Sequence, residues 1–302
     1  MTKIAKTIKI EAIHEEWLKS KSLNFSEWVR RKLDEEIHPT QRGVSRKPIK
    51  AVILAAGKDE NLSPLTNEIP KTLLDIKGKT ILERQLEILR SAGIYDIAIV
   101  RGYQKHQIDY PGLVYFDNNA FQKTGSLVSL LLAREYLDTD TIVLYGDILF
   151  ESETLARLME SRGDTTLVVD RGWKKRYQKS MEDRDLQPEL TTLAEGSEDS
   201  RIVGVGMTET DLSSEFIGLA KLSVETLPIL DDIYKNRYCQ NPEEAFHNAS
   251  CIRMASFLDF IQELIEQQKS VTALEIWRSW IDVDTFEDYR NSWKLIEKLD
   301  KG

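Results

Sequence analysis

The chain has 302 residues, 41% of them hydrophobic, and a formal net charge of −9. It is long enough to bury a substantial core, and its acidic balance argues against broad nucleic-acid binding by the main body. The acidic excess lies after residue 48, because residues 1–48 hold 11 Lys and Arg against 7 Asp and Glu. No apolar run approaches the roughly 18 residues of a membrane span, and two cysteines cannot build a disulfide framework. We therefore expect a reduced, cytoplasmic protein without a membrane partner.

The first 37 residues form a predicted module of their own. Lys6–Ile10 alternates polar and apolar residues as a short strand does, and two helical patterns follow it. Ser26 suits the N-cap of the second helix, whose apolar residues recur at four-residue spacing, at Val29, Leu33 and Ile37. The order strand, helix, helix, with the stretch LNFSEWVRRKLDEEI, resembles the ribbon-helix-helix family.

That resemblance implies a homodimer, because a lone strand and two short helices cannot enclose a core and members pair their strands across a two-fold axis. Such ribbons often read the major groove of DNA, so DNA binding and plain dimerisation both stay open for this module. Residues 38–48 (HPTQRGVSRKP) carry Pro, Gly, Ser and basic residues without an apolar period, which predicts a linker.

From residue 49 to residue 302 the chain alternates predicted strands and helices. The strands are expected at 49–56, 96–100, 141–145, 165–170, 202–207, 216–222 and 280–283. The helices are expected at 80–92, 126–137, 155–160 and 256–268. The first strand, IKAVILAA, is apolar almost throughout, which is typical of a strand buried on both faces. The pattern predicts a doubly wound, Rossmann-like α/β domain.

The first strand ends in Leu-Ala-Ala-Gly, and a cation follows the glycine. Ligands of α/β sheets collect at the carboxyl ends of strands, and Gly57 at such an end lets backbone amides approach phosphate oxygens. Lys58 lies in the same loop, and Lys71, after a proline, can reach the same anion. Taken alone, these residues are equally typical of an ordinary turn with surface lysines.

Carboxylates follow two later strands. Asp147 ends the apolar stretch TIVLYGD, and Asp282 and Asp284 lie two residues apart near the C-terminus, so their side chains share one face of a strand. A late carboxylate that faces Asp147 would make a hard-oxygen pocket suited to magnesium. A single aspartate at such a position is more often a cap or a turn residue, so the prediction depends on all these elements occurring in this order.

The ordered set, over about residues 49–300, resembles the nucleotidyltransferases that activate sugar phosphates and phosphocholine. The resemblance implies that Asp147 and Asp284 hold Mg²⁺, with Asp284 a better match than Asp282, and that Lys71 contacts a phosphate or the acceptor. It also implies that the nucleotide is held at the first strand end and by a loop that opens a helix, through Leu54, Ala55, Ala56, Gly57, Thr124, Gly125 and Ser126.

The loop after Gly57 departs from the common pattern of that family. A second glycine and an arginine usually follow, but the chain has Asp59 and Asn61 there. A closer resemblance is to the nucleotidyltransferase domain often fused to phosphoenolpyruvate mutase in phosphonate biosynthesis, whose loop likewise lacks the arginine. The similar stretches are VRGYQK (100–105), DNNAFQKTGSLVSL (117–130), YGDILF (145–150), TLVVDRGW (166–173) and SEFIGLAKLS (214–223). This resemblance implies transfer of a cytidylyl group from CTP to a small phosphonate with release of pyrophosphate. We hypothesise that Lys58 replaces the missing arginine.

Candidate contacts to the acceptor phosphonate are Arg101, Lys174 and Lys221, although the basic cluster at 174–176 is also typical of a solvated patch. The acceptor tail stays open, because hydroxyethyl- and aminoethylphosphonate differ by one terminal group. Two further hypotheses remain. One is a phosphocholine or sugar-1-phosphate nucleotidyltransferase, and the other is a DNA-binding regulator whose nucleotidyltransferase domain only senses a ligand.

Overall fold

The computed structural model describes residues 48–174, 188–195, 200–206 and 209–299, together with Val29. Apart from Val29 and Pro48, the N-terminal module and linker expected at 1–37 and 38–48 lie outside the described residues. The homodimer and the DNA contact expected of the module therefore stay predictions.

The strands of the described chain form one large sheet and one small two-stranded sheet. In chain order they are β1 (Lys50–Ala55), β2 (Ile97–Arg101), β3 (Leu113–Asp117), β4 (Thr141–Tyr145), β5 (Ile148–Phe150), β6 (Thr165–Asp170), β7 (Leu190–Leu193), β8 (Ile202–Val205), β9 (Ser213–Leu222), β10 (Val271–Ile276) and β11 (Trp280–Asp282). The strands predicted at 141–145 and 165–170 are found with the predicted bounds.

Helices lie between these strands and after the last of them. They are α1 (Ile81–Ser91), α2 (Ser126–Leu132), α3 (Ser152–Glu160), α4 (Leu227–Asp232), α5 (Phe257–Glu266) and α6 (Phe286–Leu299). A π-helical turn, Ile233–Tyr238, continues α4. The longest of these helices has 14 residues, and within the described chain none has the length and apolar character that a membrane crossing requires.

The large sheet has the strand order β10-β6-β9-β4-β1-β2-β3, and β7 and β8 extend it from β9. Strands β1 to β4 are mutually parallel, and β9 runs antiparallel to both β4 and β6. The predicted α/β class is therefore confirmed as a parallel-rich mixed sheet.

Strand β1 is buried on both faces. Val52 and Leu54 lie in a core shared with helices α2 and α5, whereas Ala51 and Ile53 lie in a second core shared with α1 and α3. Each fully buried aliphatic side chain contributes about 1.5–3 kcal/mol of hydrophobic free energy. The two cores therefore fix the carboxyl end of β1 between helical layers.

The carboxyl ends of β1, β2 and β4 meet at one edge of the sheet. Ala55 pairs with Arg101 of β2, and Leu54 pairs with Tyr145 of β4. A side chain on Gly146 would place its Cβ 2.7 Å from the Cβ of Ala55, so only glycine allows the turn after β4 to lie this close to β1. The turn brings the residue that follows it, Asp147, beside the loop after β1.

The C-terminal segment completes this edge. Strand β11 pairs antiparallel with β5, with Asp282 opposite Ile148, and the amide of Val283 donates to the carbonyl of Asp147 over 3.2 Å. Helix α6 then packs on the loop after β1, because a small core is shared by Leu62, Leu149, Val283 and Ile296. The C-terminus thus holds the first loop in place.

Candidate active site

Two adjoining cavities open at the carboxyl edge of the sheet, with volumes of about 540 and 230 Å³. Both are lined by Leu54, Gly57 and Asp147. The larger cavity is also lined by Ala55, Lys58, Asp59, Glu60, Asn61, Lys71, Thr72 and Gly146. The smaller is also lined by Ala56, Asn118, Phe121, Thr124, Gly125, Ser126, Ser129, Tyr145 and Glu189.

Lys71 is surrounded by carboxylates. Its Nζ lies 3.0 Å from Asp59 Oδ2, 3.0 Å from Asp147 Oδ2 and 3.8 Å from Asp282 Oδ1, and it also donates to Asp284 Oδ1. The lysine side chain is only 11% exposed. Burial alone would lower the pKa of Lys71, but the four carboxylates raise this pKa well above its usual value. The ammonium is therefore charged throughout the neutral pH range, and the carboxylates around it exceed it in charge.

Three of these carboxylates form a cluster with the properties of a metal site. Asp147, Asp282 and Asp284 can each offer an oxygen such that all these oxygens lie within 4.8 Å of one another. In addition, the buried Oδ1 of Asp147 has no hydrogen-bond partner among the residues that the structure describes. Carboxylate oxygens are the ligands that Mg²⁺ prefers, so the donor set fits this ion. Asp282, which matches the late aspartate of the family less well than Asp284 does, belongs to the same cluster.

Asp59 is a site residue that sequence reasoning missed. Its Oδ1 accepts hydrogen bonds from the amides of Asn61 and Leu62, over 2.8 and 3.2 Å, and its Oδ2 pairs with Lys71. An aspartate that accepts from amides two and three residues ahead is a local turn signal that the sequence carries. The pairing with Lys71 depends on the tertiary fold, so it could not be read in advance. Asp59 therefore shapes the loop where the family usually has glycine.

Lys58 lies at the rim of the larger cavity. Its Nζ donates to Glu60 Oε1 over 3.0 Å and lies 5.8 Å from the ring centre of Tyr103. The hydrogen bond and the charge of Glu60 raise the pKa of Lys58. Its side chain is about one-third exposed, so the ammonium can exchange Glu60 for a ligand anion without a change in the fold.

The predicted nucleotide-binding stretches meet across the smaller cavity. A Cβ on Gly57 would have no atom within 4 Å, so open space adjoins this turn. A Cβ on Gly125 would lie 2.1 Å from the carbonyl oxygen of Ala255, so the loop that opens α2 needs glycine for close packing. Ser126 Oγ accepts from the amide of Phe257 over 2.8 Å. Part of this loop is thus occupied by internal structure, and the rest faces the cavity.

Glu189 and Tyr145 form a second polar feature that sequence reasoning missed. The Tyr145 hydroxyl donates to the Glu189 carboxylate, at 3.2 Å from each oxygen. Burial raises the pKa of Glu189 to about 7, and the negative charges of Asp147, Glu215 and Asp259 act in the same direction. A carboxyl group with this pKa is only partly ionised at neutral pH.

Replacing Glu189 with glutamine is expected to stabilise the protein at pH 8 and to have little effect at pH 5. The pKa of a glutamate is about 4.3 in an unfolded chain and about 7 here, so this group destabilises the fold increasingly as the pH rises through that window. Above the window, we expect a gain of about 4 kcal/mol in the free energy of unfolding. Urea unfolding at the two pH values measures it, with Glu87→Gln, at an exposed glutamate, as the control. An equal difference at both pH values would contradict the expectation.

Lys221 does not reach the crevice, which corrects its expected contact to the acceptor. Strand β9 is antiparallel to β4, so Lys221 pairs with Ile142 near the start of β4, at the opposite end of the sheet. Its Nζ donates to the carbonyls of Met159 and Ser161, over 3.3 and 2.6 Å. The lysine therefore anchors the end of α3 instead.

The other two predicted acceptor contacts also lie outside both cavities. The Arg101 guanidinium donates to Asp117 Oδ1 over 2.7 Å and packs on a tyrosine ring, so its charge is used within the β2–β3 edge. Lys174 pairs with Glu209 at 2.7 Å and is half exposed, as a solvated patch would be. Residues 175–176 of that cluster lie outside the described residues.

A parallel-rich sheet with a glycine turn, lysines and carboxylates at the carboxyl ends of its strands defines an α/β nucleotide-binding domain. Residues 51–209 match the family described as the MobA-like NTP transferase domain, and the chain belongs to that family.

Two curated proteins and one solved structure are similar to the chain. The chain is 28% identical over 258 residues to a CTP:phosphoglutamine cytidylyltransferase of Campylobacter jejuni, covering 79% of this chain and 96% of that protein. It is 28% identical over 127 residues to a 2-aminoethylphosphonate cytidylyltransferase of Lancefieldella rimae, covering 40% of this chain and 52% of that protein. The solved CTP:phosphocholine cytidylyltransferase from Streptococcus pneumoniae superposes with a TM-score of 0.62 at 22% identity, covering 83% and 100% of the two chains. That last likeness supports the fold alone.

Proposed function

We propose that the chain transfers a cytidylyl group from CTP to a small phosphonate of the 2-aminoethyl or 2-hydroxyethyl type and releases pyrophosphate. The observation that carries the proposal is Lys71 among the carboxylates of Asp147, Asp282 and Asp284, beside the Gly57 turn. Relatives named as cytidylyltransferases support CTP as the donor. Two findings support a phosphonate as the acceptor. Stretches such as VRGYQK (100–105) and SEFIGLAKLS (214–223) resemble the domain found in phosphonate biosynthesis, and the Lancefieldella relative is named for 2-aminoethylphosphonate.

In the reaction, an oxygen of the phosphonate forms a bond to the α-phosphorus of CTP. The bond from that phosphorus to the α,β-bridging oxygen breaks, and pyrophosphate leaves with the electron pair. A phosphonate is largely ionised near neutral pH and needs no general base. Catalysis is then mainly positioning and charge stabilisation, because two anions must approach each other in line.

Different residues of the chain take different roles in this reaction. The turn at Gly57 and the loop at Thr124–Ser126 hold the nucleoside end, and the Lys58 and Lys71 ammonium groups face the phosphates from the larger cavity. Asp147, Asp282 and Asp284 would hold Mg²⁺, which when bound supplies positive charge to the α-phosphate and the acceptor. With a divalent cation held by the carboxylates, Lys58 and Lys71 would be free to offset the charge of the phosphates, although the chain as a whole is acidic.

A phosphate-bearing acceptor other than a phosphonate is the second candidate. The relative that shares the longest alignment among those described above is named for phosphoglutamine, which is not a phosphonate. The chemistry at the α-phosphorus is the same for both acceptors.

Pyrophosphate release tests the proposal directly. The full chain is assayed with Mg²⁺ and each of CTP, UTP, ATP and GTP, crossed with aminoethyl-, hydroxyethyl- and methylphosphonate, phosphocholine, phosphoethanolamine and glucose 1-phosphate. We expect CTP with a phosphonate to exceed every other combination by about 100-fold in kcat/KM. If a phosphate ester is preferred, the acceptor is a phosphate ester and not a phosphonate. Absence of turnover with every pair, together with sequence-selective DNA binding by the full chain, would favour the ligand-sensing regulator.

The Lys58→Ala variant is expected to raise KM for CTP about 10-fold with a smaller effect on kcat, because this rim lysine offsets triphosphate charge in place of the usual arginine. Steady-state kinetics with varied CTP measure the effect. Lys79→Ala is the matched control, since Lys79 pairs with Glu87 at 2.7 Å and does not line either cavity. Unchanged turnover and unchanged CTP affinity in Lys58→Ala would refute the role of Lys58.

A further inference from the structure

We propose that Glu189 is a specificity-determining residue that selects acceptors carrying an ammonium group on a short spacer. The inference rests on the proposed function and narrows its acceptor from two phosphonate types to the amino type.

Backbone contacts to the sheet position Glu189 at the wall of the smaller cavity. It directly precedes β7, and its carbonyl accepts from the amide of Phe216 over 2.8 Å. Strand β7 continues the attachment through its ladder with β9, where Leu190 pairs with Glu215. The backbone that carries the carboxylate is therefore part of the sheet, and a site built on a strand positions its side chain more precisely than one built on a loop.

Among the residues that the structure describes, the Glu189 carboxylate has no positively charged partner. It accepts from the neutral Tyr145 hydroxyl at 3.2 Å to each oxygen, and the carboxylates of Asp147, Glu215 and Asp259 act on it in the direction that raises its pKa. In the part of the chain that the structure describes, no lysine, arginine or histidine forms an ion pair with it. A carboxylate removed from water is stabilised by a cation far more than by a neutral donor. A ligand ammonium supplies such a cation.

The size of the smaller cavity limits the distance between the phosphonate and the ammonium group of the acceptor. Asp147 and Glu189 line the same cavity of about 230 Å³ as the loop at Thr124–Ser126. The proposal therefore places the nucleoside against that loop and the acceptor between Asp147, where its reacting oxygen must lie, and Glu189. A spacer of about two carbons spans such a cavity while its far end meets Glu189. A hydroxyl at that end would donate one neutral hydrogen bond, whereas an ammonium would form a charge-assisted one.

The test compares 2-aminoethylphosphonate with 2-hydroxyethylphosphonate in the full chain at pH 8, where a carboxyl with a pKa of about 7 is mostly ionised. We expect wild type to prefer the amine in kcat/KM. In Glu189→Gln we expect the ratio of kcat/KM for the amine to that for the alcohol to fall about 100-fold, mainly through KM for the amine. Glu87→Gln, at an exposed glutamate on α1, should keep the wild-type ratio.

The remaining outcomes are decisive as well. A ratio that changes less than about threefold in Glu189→Gln would overturn the proposal. An equal loss for both acceptors with a raised KM for CTP would assign Glu189 to the nucleotide base and overturn it too. If wild type releases pyrophosphate only with phosphate esters, the proposed acceptor fails, and phosphoethanolamine against ethyl phosphate repeats the same comparison. If wild type has no turnover with any acceptor, both proposals fall.

Discussion

An Asp147→Asn variant is expected to lose about 1,000-fold in kcat for pyrophosphate release from CTP while remaining folded. Asp147 lines both cavities, contacts Lys71 and belongs to the carboxylate cluster. Asparagine keeps the shape but removes the charge that a divalent cation needs. Single-turnover and steady-state assays at saturating CTP and acceptor measure the loss.

The matched control for this variant is Asp138→Asn. Asp138 is an aspartate with a lysine partner, Lys50, at 2.7 Å, but its side chain is 72% exposed and its partner begins β1, at the far end of the sheet from the crevice. We expect its activity to match wild type. Activity within about tenfold of wild type in Asp147→Asn would remove the basis of the proposed chemistry.

A Lys71→Met variant is expected to change stability in a way that depends on divalent cations. Methionine keeps much of the volume but leaves Asp59, Asp147, Asp282 and Asp284 without their shared counter-charge. Breaking a buried ion pair costs about 3 kcal/mol, and a bound cation replaces the missing charge. Thermal unfolding with a chelator should therefore show a lower Tm than wild type, and Mn²⁺ should raise the Tm of the variant more than that of wild type.

The pH dependence and the activity of Lys71→Met follow from the same contacts. Because the carboxylates hold the pKa of Lys71 well above its usual value, the contribution of its charge to stability is present below about pH 10, and the difference from wild type should be constant between pH 6 and 9. Turnover should fall at least about 100-fold. Lys79→Met, on the surface, is the control. Equal responses of both variants to Mn²⁺ would show that Lys71 does not share the space of the cation.

The sequence allowed good prediction where one local pattern determines structure. Thr141–Tyr145 and Thr165–Asp170 are short apolar runs between polar breaks, and both were placed with their observed bounds. The capping box of α1, in which Thr80 and Glu83 exchange hydrogen bonds, likewise marks a helix start that a sequence carries.

The elements that escaped prediction are those whose burial is partial or whose partner is distant. Strands β3 and β10 are edge strands with mixed burial, so their sequences lack a continuous apolar run. Helix α6 did carry a signal, because Thr285 and Asp288 exchange hydrogen bonds at its start, a pattern that resembles a capping box.

The site residues also differ in whether the sequence alone could identify them. Lys71, Asp147 and Asp284, which the resemblance singled out, are brought into contact. Lys221 was misplaced because strand direction within a mixed sheet is not written in the strand itself, and reversing β9 moves its lysine to the other end. Asp59 and Glu189 acquire their importance only from neighbours far along the chain.

The pairing of β11 with β5 has a consequence for synthesis of the protein. The sheet strands β1 to β4 are complete by Tyr145, but the crevice also needs Asp282 and Asp284, which meet Lys71 across 213 residues in the case of Asp284. A ribosome must therefore release the chain through Asp284 before the acidic cluster can close around the lysine. Until then the nascent chain carries Lys71 and Asp147 without these late partners, and the crevice forms after the first four strands are available to pair.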